Sequence, residues 1–460
     1  MAAALGVLVS CGSVKSGEEV VAASRDSKVV VAYVTSWSEV MPDPQYMTHI
    51  NYAFGHVNES FNGVKIDNEE RLRQIVDLRK QKPELKVLLS IGGWGSGRFS
   101  EMAANDEYRR AFAADCDRVV KEFALDGIDI DWEYPTSSMA NISSSPDDTE
   151  NFTLLMQDIR AAIGNEKELT LATVASARYI DFKAILPSVD FVNIMAYDMA
   201  SAPKHHSALY PSGHSGDITS DGAVTAHLKA GVPPSKLVMG MPFYGRGGDG
   251  YPSFQDYNKV GNTDTQYTEK WDEVAQVPYL ADKNDTLVFG FENPRSLAIK
   301  CQYILDKDLL GGMYWDYSGD NEQGDLRRTV AENLLGKPHK AKVLVLTERG
   351  GQHGGFTDAG LRWLAAEGVK GNFSITEINN ARNITEAYLS QFSLVIQLDF
   401  PPYTWPKEAE DAFVKYIEEG RGGWIGFHHA TLLGEFDGYP MWQWFSDFMG
   451  GVRFKNYIAP

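Results

Sequence analysis

Cysteine is scarce. Cys11, Cys116 and Cys301 are the three in 460 residues, too few and too scattered for disulfides to hold the fold together. Cys116 ends Ala-Phe-Ala-Ala-Asp-Cys and Cys301 ends Ala-Ile-Lys-Cys, both helix-like, which predicts buried free thiols. Positive charge is short as well. With 43 Lys+Arg against 62 Asp+Glu the formal net charge is -19. Phosphate binding needs clustered basic side chains, so nucleic acid is excluded as the main ligand, and a neutral or cationic one is easier to accept. No apolar run is long enough to span a bilayer. Aromatics, by contrast, are plentiful at 12%, which suits stacking on sugar rings and suits a large ordinary core equally well. The length exceeds that of a usual single domain and predicts a large domain plus a smaller one.

Short β-branched runs alternate with helix-like segments, the pattern of parallel βαβ units. Eight occur: Val29 to Trp37, His49 to Phe54, Lys86 to Ser90, Gly127 to Glu133, Leu169 to Ala175, Val189 to Tyr197, Leu237 to Phe243 and Leu310 to Trp315. Helices are predicted in the gaps at Glu69 to Lys80, Asp106 to Ala124, Asp147 to Gly164 and Ser220 to Lys229, and after the last strand at Asp325 to Leu335. Eight such repeats predict a (β/α)8 TIM barrel over residues 28–338, with its active site at the C-terminal ends of the strands. Residues 247–292, rich in Tyr, Asp, Asn and Gly, read as a small insertion between strands seven and eight. After Gly336-Lys337-Pro338 a second unit begins. Strands at Lys342 to Thr347, Phe373 to Ile378, Leu394 to Leu398 and Gly423 to Phe427, with helices Asp358 to Glu367 and Lys407 to Glu419, predict a doubly wound α/β domain over residues 341–460.

The fourth strand carries the chemistry. In Asp126-Gly-Ile-Asp129-Ile-Asp131-Trp-Glu133-Tyr-Pro, side chains alternate faces, so Ile128, Ile130 and Trp132 point one way and Asp129, Asp131 and Glu133 the other. The apolar set must meet the helices. Three carboxyls then share a column inside the barrel, about 6.5 to 7 Å apart along the strand, where Val, Ile and Leu normally pack. A salt-bridged structural cluster would need inward-facing cations, and no predicted strand supplies one. Repulsion and partial burial should raise at least one pKa, as a proton donor near neutral pH requires. Glu133, nearest the strand's C-terminal end and longest in reach, is the best donor.

Asp126-x-x-Asp129-x-Asp131-x-Glu133 resembles the DxxDxDxE signature of glycoside hydrolase family 18, the chitinase family. Four further motifs stand on the expected strands: Ser90-Ile-Gly-Gly93, Met195-Ala-Tyr197-Asp198, Met241-Pro-Phe-Tyr244-Gly-Arg246 and Gly311-Gly-Met-Tyr-Trp315. The resemblance implies a retaining hydrolase of β-1,4-linked N-acetylglucosamine, chitin or its oligosaccharides, working by substrate-assisted catalysis, an exception to the two-carboxylate scheme. Glu133 would protonate the glycosidic oxygen while the substrate's 2-acetamido carbonyl attacks the anomeric carbon to give an oxazolinium ion. Asp131 would turn to the acetamido N–H, Asp129 would share a proton with it, and Tyr197 would donate to the acetamido oxygen, with Asp198 close to the same sugar. Tyr33 and Ser90 match positions that hydrogen-bond the inner aspartates, and Trp315 matches the floor under the sugar bound before the cleavage point. Met195 shares Tyr197's face, while Phe54, Trp94, Tyr244, Arg246 and Trp37 are cleft-lining candidates. The reading calls for no cofactor and no metal. Two alternatives stay open, an endo-β-N-acetylglucosaminidase acting on N-glycans and a barrel that binds chitin oligosaccharides without cleaving them.

The second unit resembles the trehalose-utilisation (ThuA-like) family, related to class I glutamine amidotransferases, through Val343-Leu-Val-Leu-Thr347, Gly422-Gly-Trp-Ile-Gly-Phe-His428-His429-Ala430 and Gly450-Gly-Val-Arg-Phe454. Its elbow carries Phe427, His428 and His429 where an amidotransferase needs a cysteine nucleophile, so glutaminase activity is not expected. The histidines are ligand or metal candidates and equally suit a structural role. The chain stops soon after Phe454, which reads as an incomplete domain. Finally, Leu8-Val-Ser-Cys11 before Gly12 resembles a bacterial lipobox, although no Lys or Arg precedes it. Residues 1–27 then form a lipoprotein-like signal and tether, implying a secreted or cell-envelope location with membrane attachment through lipidated Cys11.

Overall fold

The computed structural model describes residues 28–248, 251–260, 267–336, 341–349, 354–371, 373–382, 384–433 and 439–451. The expectations for Cys11 and the tether, and for Val452 to Phe454, lie outside the described residues. Two compact units divide after Gly336.

In the first unit each of the eight apolar runs becomes a parallel strand: β1 (Val29–Thr35), β2 (His49–Val57), β3 (Lys86–Gly92), β4 (Gly127–Asp131), β5 (Glu168–Val174), β6 (Phe191–Met195), β7 (Leu237–Pro242) and β8 (Gly311–Trp315). They neighbour one another in chain order, and β1 pairs with both β2 and β8, closing the barrel. A short strand, Val64–Ile66, adds antiparallel to the end of β2. The period of two sorts the side chains. Val31, Tyr33, Ala53, Phe191, Val238 and Met313 fill the barrel's interior. Val30, Ala32, Ile50, Leu89, Ile128 and Ile130 join the much larger layer beneath the helices.

The helices begin where the sequence offers a cap. Asn105 accepts from the backbone of Glu107 and Tyr108 to start Asp106–Glu122. Thr219 starts Ser220–Lys229, and Gly164 (φ 76°) ends Asp148–Ile163. Helices Phe99–Ala104 and Pro294–Asp306, which the apolar periodicity did not single out, complete the layer. The expected insertion is a five-stranded antiparallel sheet in the order Gln255–Asp256, Tyr244–Gly247, Leu287–Gly290, Val277–Ala281, Thr268–Asp272. It starts directly after β7 at Tyr244, three residues before the expected limit.

The second unit is a four-stranded parallel sheet in the order Phe373–Ile378, Ala341–Leu346, Leu394–Gln397, Gly423–Gly426. Helix Lys407–Glu418 packs Phe413 and Tyr416 against one face, with Leu344, Leu346 and Val395. Leu361 and Leu364 of helix Gly354–Gly371 cover Val343, Val345 and Ile396 on the other. Helices on both faces make this a doubly wound α/β fold.

Candidate active site

β4 turns its apolar face outward, where Trp132 stacks on Phe99 with ring centroids 5.3 Å apart. Asp129 and Asp131 are thereby turned into the barrel, both buried. The strand stops at Asp131, two residues short of the expected end, because its partner β3 runs out: Gly92, opposite Asp131, has φ 132° and Gly93 has φ 91°. Both glycines are required. A Cβ on Gly92 would lie 2.0 Å from the Asp131 carbonyl oxygen, and one on Gly93 would lie 2.6 Å from the Phe54 ring. Glu133 therefore projects from the loop just beyond the strand rather than from the strand itself.

Asp129 forms the bottom of the column. Tyr33 and Ser90 hydroxyls donate to its Oδ2, each at 2.8 Å, and Thr170 (2.6 Å) and Asn193 (3.3 Å) donate to its Oδ1. Burial pushes its pKa up against the pull of these hydrogen bonds. Asp131, next above, is raised well beyond the usual carboxylate range by burial first and then by Glu133 and Asp129. Its Oδ1 is buried with no hydrogen-bond partner among the described residues. Glu133 is raised to about 7, by burial and by the neighbouring Asp198 charge, with a hydrogen bond to Tyr134 opposing.

Asp198 behaves in the opposite way. Burial works against its ionisation, yet hydrogen bonds from Arg246, the guanidinium charge and the nearby His206 ring hold its carboxyl well below its ordinary value. Arg246 donates from Nε to Oδ1 at 2.7 Å, and the buried His206 places Nδ1 3.4 Å from the same oxygen. Tyr197 points its hydroxyl at the Met313 thioether at 4.0 Å, and burial pushes that hydroxyl's pKa well up.

A cleft of about 690 Å³ opens above the column. Of the residues expected from sequence, Asp131, Glu133, Tyr197, Asp198, Trp315, Tyr33, Phe54, Trp94, Tyr244, Arg246, Met195 and Trp37 line it. Asp129 and Ser90 do not. Ser90 is fully buried beneath Asp129, so it supports the carboxyl column, as its match to a position that hydrogen-bonds the inner aspartates implied, and does not reach the cleft. Phe54 stacks on Trp315 at 5.6 Å and 21°, and Tyr33 lies 5.6 Å from the same indole. Sequence reasoning missed Thr170, His206, Met139, Arg178 and Phe254. The first two sit behind the wall, where only the closed barrel brings them to the carboxyls. The last three are on loops with no periodic signal. Among the described residues no group of His, Cys, Asp and Glu could hold a metal ion.

Comparison with known proteins agrees with this fold. A family model described as "Glycosyl hydrolases family 18" matches residues 29–320, and one described as "Trehalose utilisation" matches residues 342–460. Chitinase A1 of Niallia circulans is 30% identical over 66% of this chain, but the match spans only 58% of that relative's length. Chitotriosidase-1 of Mus musculus is 31% identical over 64% of this chain and 74% of its own. Among solved structures, a glycoside hydrolase family 18 N-acetylglucosaminidase from Paenibacillus barengoltzii superposes with a TM-score of 0.62 at 32% identity, covering 67% of this chain and all of that one. The Group IV chitinase of Ostrinia furnacalis gives 0.61 at 28% identity, covering 67% and 99%.

Proposed function

We infer the function from membership: the chain belongs to glycosyl hydrolase family 18 through residues 29–320, and its barrel hydrolyses β-1,4-linked N-acetylglucosamine chains with retention, by substrate-assisted catalysis. The observation that carries this is the state of the carboxyls. Retention by an enzyme nucleophile needs a free, basic carboxylate beside the acid. Asp129 is engaged by four donors, Asp198 is committed to Arg246, and Asp131, buried between Glu133 and Asp129, is disfavoured as a free carboxylate by burial and by like charge. What the site offers instead fits an acetamido group. Asp131 Oδ1 awaits a donor, and the Tyr197 hydroxyl holds only a long contact to sulfur.

The steps follow. Glu133, protonated up to about pH 7, gives its proton to the glycosidic oxygen as the bond from that oxygen to the anomeric carbon breaks. The substrate's acetamido oxygen closes on the anomeric carbon, assisted by Tyr197, while Asp131, leaving its proton with Asp129 as it turns, accepts a hydrogen bond from the acetamido N–H and stabilises the positive charge of the oxazolinium ion. Glu133, now a carboxylate, takes a proton from the water that opens the ring, and two inversions at one carbon leave the configuration retained. Trp315, stacked with Phe54, is the floor under the reacting sugar.

The test is hydrolysis of chitotetraose followed by proton NMR before mutarotation. The β-anomer should form first, and cellotetraose, which has no acetamido group, should stay intact. Initial α-anomer, or cleavage of both substrates, sinks the mechanism. The size of the first products separates release of single sugars from internal cleavage.

A further inference from the structure

Two guanidinium groups line the cleft, and they are differently employed. Arg246 is clamped on Asp198. Arg178, exposed on the loop after β5, donates from Nε to the Ser176 hydroxyl at 3.0 Å, and no carboxylate among the described residues pairs with it. Such a side chain would ordinarily wander, yet the backbone that carries it is over-determined. Ala177 (φ 57°) and Tyr179 (φ 74°), on either side of Arg178, are both held in the left-handed region, a conformation unfavourable for side chains larger than Gly or Asn.

Three contacts hold them there. The Ala177 amide donates to the Val174 carbonyl at 3.0 Å, the Thr149 hydroxyl donates to the Tyr179 carbonyl at 2.9 Å, and the Tyr179 ring stacks on Tyr134 at 5.5 Å and 16°. Tyr134 is the residue after Glu133. The loop is thus fastened to the acid's own loop, and it aims Arg178 at the cleft.

The barrel fixes which end of a substrate this meets. Trp315 stands at the end of β8, and β4, which carries the acid, is the strand directly across the barrel from it. A sugar reacting over Trp315 and receiving its proton from Glu133 sends its leaving group past Glu133, towards Tyr134, Tyr179 and Arg178.

We propose that Arg178 binds the first sugar of the leaving group, donating from its two terminal nitrogens to paired acceptor oxygens, hydroxyl or acetamido carbonyl, on that unit. The planar fork matches two neighbouring acceptors. The proposal rests on the chitin-hydrolase reading and adds a specificity determinant to it: the site selects chains whose leaving portion is itself a sugar over ones with a bare leaving group.

The experiment uses the full chain with two substrates, chitotetraose and 4-nitrophenyl chitobioside, whose leaving group offers no sugar. Arg178→Ala is expected to lower the ratio of kcat/KM on chitotetraose to that on the aryl glycoside by about 10- to 100-fold, the worth of a charge-assisted hydrogen bond or two. Most of the loss should lie in KM, Arg178→Lys should recover part of it, and the midpoint of thermal unfolding should stay put. An unchanged ratio overturns the proposal, and so does an equal loss on both substrates, which would mark a structural role. Wild-type protein that cleaves neither substrate overturns instead the reading on which the proposal depends.

Discussion

Glu133 meets opposite demands from folding and from chemistry. Burial raises its pKa to about 7, so it keeps a proton to give at neutral pH, but the folded protein then resists its ionisation. Below about pH 4.5 the group is protonated folded and unfolded alike, and its neutral burial is fully tolerated. As pH rises through 7 that stability is lost. Glu133→Gln should therefore lower kcat/KM on chitotetraose by about 10²- to 10⁴-fold and, at pH 8 but not at pH 4, increase unfolding stability by up to about 3 kcal/mol. Denaturant titrations at the two pH values check this, and equal stability at both would show Glu133 titrating normally. In the wild type the alkaline limb of kcat/KM should fall near pH 7.

At the scale of elements, close approach decides what each segment tolerates. Gly93 presses against the Phe54 ring, which in turn stacks on Trp315. Gly93→Ala would add both an unfavourable φ and a clash, so KM should rise and stability fall by about 1–3 kcal/mol. Calorimetry with oligosaccharide kinetics would show both effects, and an alanine variant with wild-type KM would mean that the aromatic floor does not depend on this contact.

A second element-level dependence lies behind the insertion. Lys300, on helix Pro294–Asp306, and Glu292 form a fully buried ion pair, with Lys300 also donating to the Ser207 carbonyl at 2.5 Å and the Ser207 hydroxyl to Glu292 at 2.6 Å. Removing one partner strands a charge. Lys300→Met should cost about 3–5 kcal/mol, whereas Lys300→Met with Glu292→Leu should recover much of it; a double variant as unstable as the single would show that the pair's hydrogen bonds, rather than its charge balance, hold this region. The helix itself was legible in part. Asn293 and Ser296 cap each other's backbone amides at 3.0 and 2.9 Å, so Asn-Pro-Arg-Ser is a start signal that apolar periodicity passed over.

For the whole molecule, acid is the expected weakness. His205 and His227 are buried, and burial lowers each pKa from 6.5 to about 4. Between those values the unfolded chain takes up protons that the folded barrel refuses, so stability falls as pH drops from 6.5 towards 4, by up to about 3 kcal/mol for each group. Unfolding midpoints measured across that range should show the decline, and His227→Gln, which keeps polar atoms near Thr173 Oγ1 and the Ala223 carbonyl, should remove its share. A slope unchanged by that substitution would place the proton uptake elsewhere.

Sequence alone determined the eight strands, the inward turn of Asp129 and Asp131, and the doubly wound second unit, because these follow from a period of two and from alternation along the chain, both local properties. It did not determine where β4 stops, that Thr170 and Asn193 complete Asp129's shell, or that Arg178 is fastened to the acid's loop through Tyr179 and Tyr134. Each of these joins residues tens of positions apart. Only closure of the barrel, with strand ends set by neighbouring strands and loops stacked across them, brings such groups within a few ångströms, and no pattern along the chain encodes that distance.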